Sequence, residues 1–168
     1  MTKQLIPKRR FKTFNKIWVE KKFDDMIIRL SALSKVADFP NVEYEDIISG
    51  TGRLNKDLSK KKVQKSGILF SKGDVLFGKL RPYLKNWLLA DFEGIAIGDF
   101  WVFRPLEIDS DFLYYLIQTD SYQKVANLSI GTKMPRSDWS TVSNTFFRIP
   151  EKSEQQKIGE LVKVLDAR

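Results

Sequence analysis

Three stretches of this sequence set cations among turn-forming residues in the way a polyanion-binding surface requires. Residues 53–65 carry Arg53, Lys56 and four further lysines against a single acid, Asp57. Residues 79–85 hold Lys79, Arg81 and Lys85 interleaved with Leu80, Pro82, Tyr83 and Leu84. Residues 131–137 read Gly-Thr-Lys-Met-Pro-Arg-Ser, so Thr132 and Ser137 add hydroxyl donors beside Lys133 and Arg136. Cations and hydroxyls contact phosphate oxygens, and the planar fork of arginine also matches the two acceptors on a guanine edge. Gly131, lacking a Cβ, lets backbone come close to a phosphate. Ordinary solvated turns share this composition, so the pattern names a candidate surface and not yet an activity. Tyr83, Trp87 and Trp139 are aromatics that could stack on bases or fill the core.

Catalytic patterns are scarce. The chain has no histidine and no cysteine, which removes Ser-His-Asp and Cys-His nucleophile systems, zinc sites on their usual ligands, and disulfides. There is no phosphate-binding glycine loop; Gly50 and Gly52 form a lone Gly-x-Gly without the third glycine of a dinucleotide fingerprint. The nearest approach to a nuclease element is Val19-Glu20-Lys21-Lys22, a carboxylate and lysine at Glu-x-Lys spacing. A metal-dependent nuclease would need a second carboxylate to share the ion, and nothing upstream supplies one in the usual order. The expectation is no catalytic residue, no metal and no cofactor on this chain. The other readings of the same residues are a small metal-dependent nuclease built on Glu20, and a general RNA-binding or protein-interaction module.

The elements that must position these residues read as mixed. Gly67-Ile68-Leu69-Phe70 and Val75-Leu76-Phe77 are short strands, joined at Lys72-Gly73-Asp74 as a hairpin or a sheet corner. Residues 42–48 alternate enough for a strand. Residues 23–33 suit either a helix or a strand. Residues 95–103 form the longest strand candidate, with Ile97, Val102 and Phe103 buried and Arg104-Pro105 as the stop. Ser110 or Asp109 caps a helix whose apolar positions Phe112, Leu113, Leu116, Ile117, Val125 and Ala126 follow the helical period. Residues 129–139 are an irregular loop and residues 144–149 a last strand. From Ser153, a capping box with Gln156 opens a final helix. Its Ile158, Leu161, Val162 and Leu165 fall at i, i+3, i+4 and i+7, a narrow seam suited to a partner helix. The fold class expected is α+β: a curled, mostly antiparallel sheet with packed helices, then a C-terminal helix. Residues 1–150 read as one globular domain and residues 151–168 as a helical docking element.

Composition agrees with a polyanion partner. The 168 residues are 42% hydrophobic and 12% aromatic, enough for a core, with a net charge of +8. Residues 1–22 hold eight cations and one acid, a basic arm whose Phe11, Phe14, Ile17, Trp18 and Val19 serve the core. No apolar run reaches the length of a membrane span, and the expected compartment is the cytoplasm.

The order of several motifs resembles the specificity subunits of type I restriction-modification systems. The residues that carry it are Gly-Asp-Val-Leu-Phe-Gly-Lys-Leu-Arg-Pro-Tyr-Leu at 73–84 and Gly-Asp-Phe-Trp-Val-Phe-Arg-Pro at 98–105. They continue with Phe-Leu-Tyr-Tyr-Leu at 112–116, Gly-Thr-Lys-Met-Pro-Arg at 131–136 with Trp139, and Ile149-Pro150 ahead of Glu-Gln-Gln-Lys-Ile at 154–158. Pro7-Lys8-Arg9-Arg10-Phe11 with Trp18 is similar to the family's opening. The resemblance implies a non-catalytic target-recognition domain reading half of a bipartite double-stranded DNA site. It also implies docking to methyltransferase subunits, which bind S-adenosylmethionine, and to a restriction subunit. Length is the departure: family members carry two such domains, so a fragment, a half-sized subunit pairing with itself through the C-terminal helix, and an orphan domain are all open. By position, the resemblance places DNA contacts at Lys79, Arg81, Lys133 and Arg136. A stretch shared by readers of different targets suits phosphate better than bases, which leaves discrimination to residues 53–65 and 133–138.

Overall fold

A central antiparallel sheet has both faces covered, and strand alternation decides what each face meets. The computed structural model describes residues 7, 9–35, 38–61, 65–128 and 133–167. In chain order its elements are β1 (Val19–Lys22), α1 (Phe23–Met26), β2 (Ile27–Leu30), β3 (Leu33–Ser34), β4 (Asn41–Val42), β5 (Ile47–Ile48) and β6 (Arg53–Leu54). There follow β7 (Gly67–Phe70), β8 (Val75–Gly78), β9 (Trp87–Leu89), β10 (Gly94–Ala96) and β11 (Phe100–Pro105). The chain closes with α2 (Ser110–Leu116), α3 (Asp120–Ala126), α4 (Trp139–Ser143), β12 (Phe146–Ile149) and α5 (Lys152–Asp166).

The central sheet has the order β2-β11-β8-β9, antiparallel throughout. Successive side chains point to opposite faces. Val75, Phe77, Trp87, Trp101 and Phe103 therefore meet the helices, in a core with Phe23, Leu113, Tyr122 and Phe147. Leu76, Leu88, Phe100 and Val102 face the other way and pack on Val42, Phe70 and Ala96. Those last residues belong to a second sheet of order β3-β7-β10-β4, antiparallel except for the β10–β4 pair. Burial on both faces explains why β8 reads as an unbroken apolar run rather than an alternation. Phe23 is the hub of the helix-side core, with ring contacts to Phe103, Tyr122, Trp139 and Phe147. The α+β architecture with its C-terminal helix is the one expected.

Several local expectations are resolved or corrected. At Lys72-Gly73-Asp74 the second of the two alternatives, the sheet corner, holds, because β7 and β8 lie in different sheets. The long strand expected over 95–103 is broken at Gly98, where φ is +89°. β10 and β11 thus diverge into separate sheets, although Ile97, Val102 and Phe103 are buried as expected. The strand expected over 42–48 is interrupted by a 3₁₀ turn at Tyr44–Asp46, closed by reciprocal bonds between Glu43 and Asp46. Residues 23–33 combine both readings, one helical turn and then a strand. The single helix expected after Ser110 is two helices, capped by Asp109 and Thr119; the hydroxyl of Thr119 restarts the chain after Ile117. The loop before Trp139 ends in the short helix α4.

The capping box expected at Ser153–Gln156 is also absent. α5 begins at Lys152 with Glu151 as its N-cap. Gln155 does the anchoring: its side chain accepts from the Asp109 amide at 2.8 Å and donates to the Pro150 carbonyl at 2.9 Å. Glu154, fully buried, takes two 2.7 Å bonds from Arg10. This pair ties the N-terminal segment to α5, while β1 pairs antiparallel with β12 beside it.

Two features generate tests. A Cβ at Gly159 would stand 2.8 Å from the Cβ of Asp111, so glycine sets how closely α5 lies on α2. Alanine there gains about 1 kcal/mol of helix propensity. Forcing a methyl into that contact costs about 1–3 kcal/mol. Gly159→Ala should therefore lower the denaturation midpoint, and an unchanged or raised midpoint would show α5 to be loosely docked. The second is a carboxylate cluster. Lys61 and Lys65 hold the Glu43 carboxyl below its ordinary range. Burial works the other way on Asp46, yet bonds from Lys56, Lys61 and the Glu43 amide leave it depressed as well. Depressed folded-state values stabilise the fold above the unfolded values, and that stability is lost as pH falls through the folded ones. Melting temperature should fall below about pH 4, and Asp46→Asn should blunt that fall.

Candidate nucleic-acid interface

Two of the three basic stretches are stitched together by backbone. The buried strand β8 ends at Gly78 and delivers Lys79, whose amide donates to the Asp99 carbonyl at 2.9 Å. Leu80 and Arg136 form an antiparallel bridge. On either side of it, Arg81 N–H donates to Pro135 at 2.7 Å and Ser137 N–H to Lys79 at 2.8 Å. The Tyr44 hydroxyl completes the junction, donating to the Asp99 carbonyl at 2.7 Å and accepting from the Leu80 amide at 3.1 Å. Burial pushes the Tyr44 phenol well above its ordinary pKa, so it stays a protonated donor.

Beyond Leu80 the chain makes a 3₁₀ turn, Pro82–Leu84, flanked by two cations in the left-handed region, Arg81 at φ 49° and Lys85 at φ 55°. Non-glycine residues seldom sit there, and such strain persists only where surroundings over-determine it. Here they do. Leu84 N–H bonds Arg81 at 2.8 Å, Lys85 N–H bonds Pro82 at 3.0 Å, and Gly50 N–H bonds the Lys85 carbonyl at 2.9 Å. The Ser49 hydroxyl donates to the Leu84 carbonyl. The turn thus projects Arg81, Tyr83 and Lys85 into solvent on a fixed backbone, with Tyr83 56% exposed. Asp99 supplies the one acid bonded into this group among the described residues. Its carboxylate takes Arg136 at 3.2 and 3.3 Å and lies 4.0 Å from the Lys79 ammonium.

The remaining sequence-derived residues fall elsewhere. Lys133 is exposed, while Thr132 and Gly131 lie outside the described residues. The Ser137 hydroxyl donates inward to the Ala126 carbonyl at 2.7 Å and is buried. Trp87 is buried in the core, and Trp139 packs on Phe23 and Trp101 with the Arg29 guanidinium 4.3 Å above its ring. Arg53, Lys56, Lys61 and Lys65 all have partners within the protein. Arg53 donates to the Asp166 carbonyl at the end of α5 at 2.8 Å. Lys56 lies 2.8 Å from Asp46, and Lys61 and Lys65 each lie 2.7 Å from Glu43. Glu43 and Asp46 therefore neutralise Lys56, Lys61 and Lys65. Glu20 pairs with Arg148 across the β1–β12 ladder at 3.1 Å.

On α5 the expected seam divides. Ile158 and Val162 are half-buried, with Ile158 packed on the helix-side core. Leu161 and Leu165 face solvent together with Val164. Phe11, Trp18, Ile158 and Leu161 border a cavity of about 420 Å³ beside them. Sequence reasoning passed over Asp99, Tyr44 and Val164. The only available signals were that Val164 completes an i, i+3, i+4 stripe with Leu161 and Leu165, and that Asp99 follows a turn glycine.

The chain is 26% identical over 156 residues to the EcoDI type I restriction enzyme specificity subunit of Escherichia coli, covering 89% of this chain and 35% of that one. It is 28% identical over 109 residues to the MjaVIII specificity subunit of Methanocaldococcus jannaschii, covering 59% and 25%. Among solved structures, the HsdS subunit from Thermoanaerobacter tengcongensis superposes with a TM-score of 0.69 at 23% identity, over 88% of this chain and 41% of that one. The S subunit from M. genitalium gives 0.59 at 19% identity, over 99% and 42%. The chain thus spans well under half the length of these relatives. No helix among the described residues is long and apolar enough to cross a membrane. The family model for the type I restriction modification DNA specificity domain matches residues 8–168, and the chain belongs to that family.

Proposed function

We propose that this domain binds double-stranded DNA as the sequence-reading, non-catalytic part of a type I restriction-modification complex, and that it recognises one half of a bipartite target. The observation that carries the reading is the junction at Leu80–Arg136. It ties together by backbone bonds the two exposed segments that carry Lys79, Arg81, Lys85 and Arg136, which suits a phosphate backbone approached at fixed register. Family membership supplies the context. In this reading S-adenosylmethionine and the cleavage chemistry belong to methyltransferase and restriction subunits. The outward face of α5, with Leu161, Val164 and Leu165, receives a helix from one of those subunits or from a second copy of this chain. The exposed Lys133 extends the DNA surface. Arg53 and Lys56, already paired within the protein, add less to it than their position in a basic run implied.

Binding to duplex DNA, measured across a salt series, tests the reading. Arg81→Ala and Lys85→Ala should each weaken binding to every duplex and lower the slope of log K against log salt by about 1. Equal affinity for duplex RNA in competition would favour a general RNA-binding module. Magnesium-dependent cleavage abolished by Glu20→Ala would replace the reading with the nuclease. For α5, Leu161→Gln with Leu165→Gln should abolish association with methyltransferase subunits, or self-association in sedimentation, while DNA contact persists. If neither association changes, the face has no partner role.

A further inference from the structure

A carboxylate set among phosphate-gripping cations opposes affinity, so the position of Asp99 calls for a different account. Its two oxygens engage Nε and Nη2 of Arg136, at 3.2 and 3.3 Å. That is the lateral edge of the guanidinium. The terminal edge, made by Nη1 and the second hydrogen of Nη2, is left for another planar pair of acceptors. The N7 and O6 atoms of guanine form such a pair in the major groove. The backbone on both sides of Arg136 is fixed as well, since Arg81 bonds Pro135 and both the amide and the hydroxyl of Ser137 are engaged. Half of the side chain nonetheless stays exposed, at 52%. Arg81 differs: among the described residues no acid holds its guanidinium, and it stands on the exposed turn as a mobile phosphate grip would.

We propose that Arg136, oriented by Asp99, reads a guanine through its terminal edge, and that Asp99 is the positioning residue for this contact. Lys79, Arg81 and Lys85 grip phosphate around it. The inference rests on the DNA-reading proposal above and assigns its specificity to one pair. Replacing the Asp99 side chain need not unfold the site, because the bonds from Tyr44 and Lys79 go to its backbone carbonyl.

The test is selection from a duplex library with a randomised core, using the full chain as wild type, Arg136→Lys, Asp99→Asn and Lys79→Ala. Affinity is then measured for the recovered duplex and for copies with each G·C replaced by A·T, with thermal melts for every variant. Wild type should lose about 5- to 150-fold at one guanine. Arg136→Lys, which keeps the charge but not the planar fork, should lose that discrimination, with its affinity falling far more on the recovered duplex than on unrelated ones. Asp99→Asn should also lose it, yet bind unrelated duplexes more tightly, with a salt slope steeper by about 1. Discrimination retained in Arg136→Lys, or an Asp99→Asn variant weakened equally on all duplexes, would overturn the inference and leave the DNA-reading proposal standing. No recovered motif for wild type, with Lys79→Ala indistinguishable from it on every duplex, would overturn both.

Discussion

The candidate interface depends on one shared acceptor, the backbone carbonyl of Asp99. It takes the Tyr44 hydroxyl and the Lys79 amide together, so the β4–β5, β8–β9 and β10–β11 connections meet at a single oxygen. A buried backbone carbonyl has two lone pairs, and satisfying both locally is how such a junction avoids a desolvation cost. Everything distal to it follows. The Leu80–Arg136 bridge, the left-handed Arg81 and the turn to Lys85 are all referenced to this point. Losing this node would free the basic 79–85 segment from its anchors at Tyr44 and Asp99.

A second constraint closes the chain on itself. Arg10 and the buried Glu154 form a two-bond pair across 144 positions of sequence. Breaking a buried pair by removing one partner strands the other charge in a low-dielectric setting. The pair therefore acts less as a source of net stability than as a lock on the register between the N-terminal segment and α5. Gly159 and Gln155 complete that lock against α2. The helix that carries the outward apolar stripe is in this way a rigid extension of the domain.

The broad architecture was legible because strand alternation and helical period report which faces are buried, as with Val102, Phe103, Phe112 and Leu113. Breaks inside apolar runs were not. At Gly98 and Thr119 one element ends and another starts, and the apolar residues on the two sides match one continued period, so whether the element runs on or breaks is set by tertiary packing that a local window does not contain. The basic stretch at 53–65 read as open because its neutralising acids, Glu43 and Asp46, come from a neighbouring element. Lys79, Arg81 and Arg136 were legible as residue types, but Asp99 was not: its importance lies in a contact across 37 positions with Arg136, and only the folded chain reveals it.

The pairing of β1 with β12 has a consequence for how the chain must be made. Val19 lies against Ile149 and Lys22 against Phe146, so the first strand has no ladder partner until nearly all of the domain has been synthesised. Contacts of such wide sequence separation close late, because the loop entropy must be spent before they form. On a ribosome the central sheet and α2 can assemble while the first strand waits. The Arg10–Glu154 lock closes only once α5 has emerged, so the outward stripe on α5 takes its fixed place only when the domain beneath it is complete.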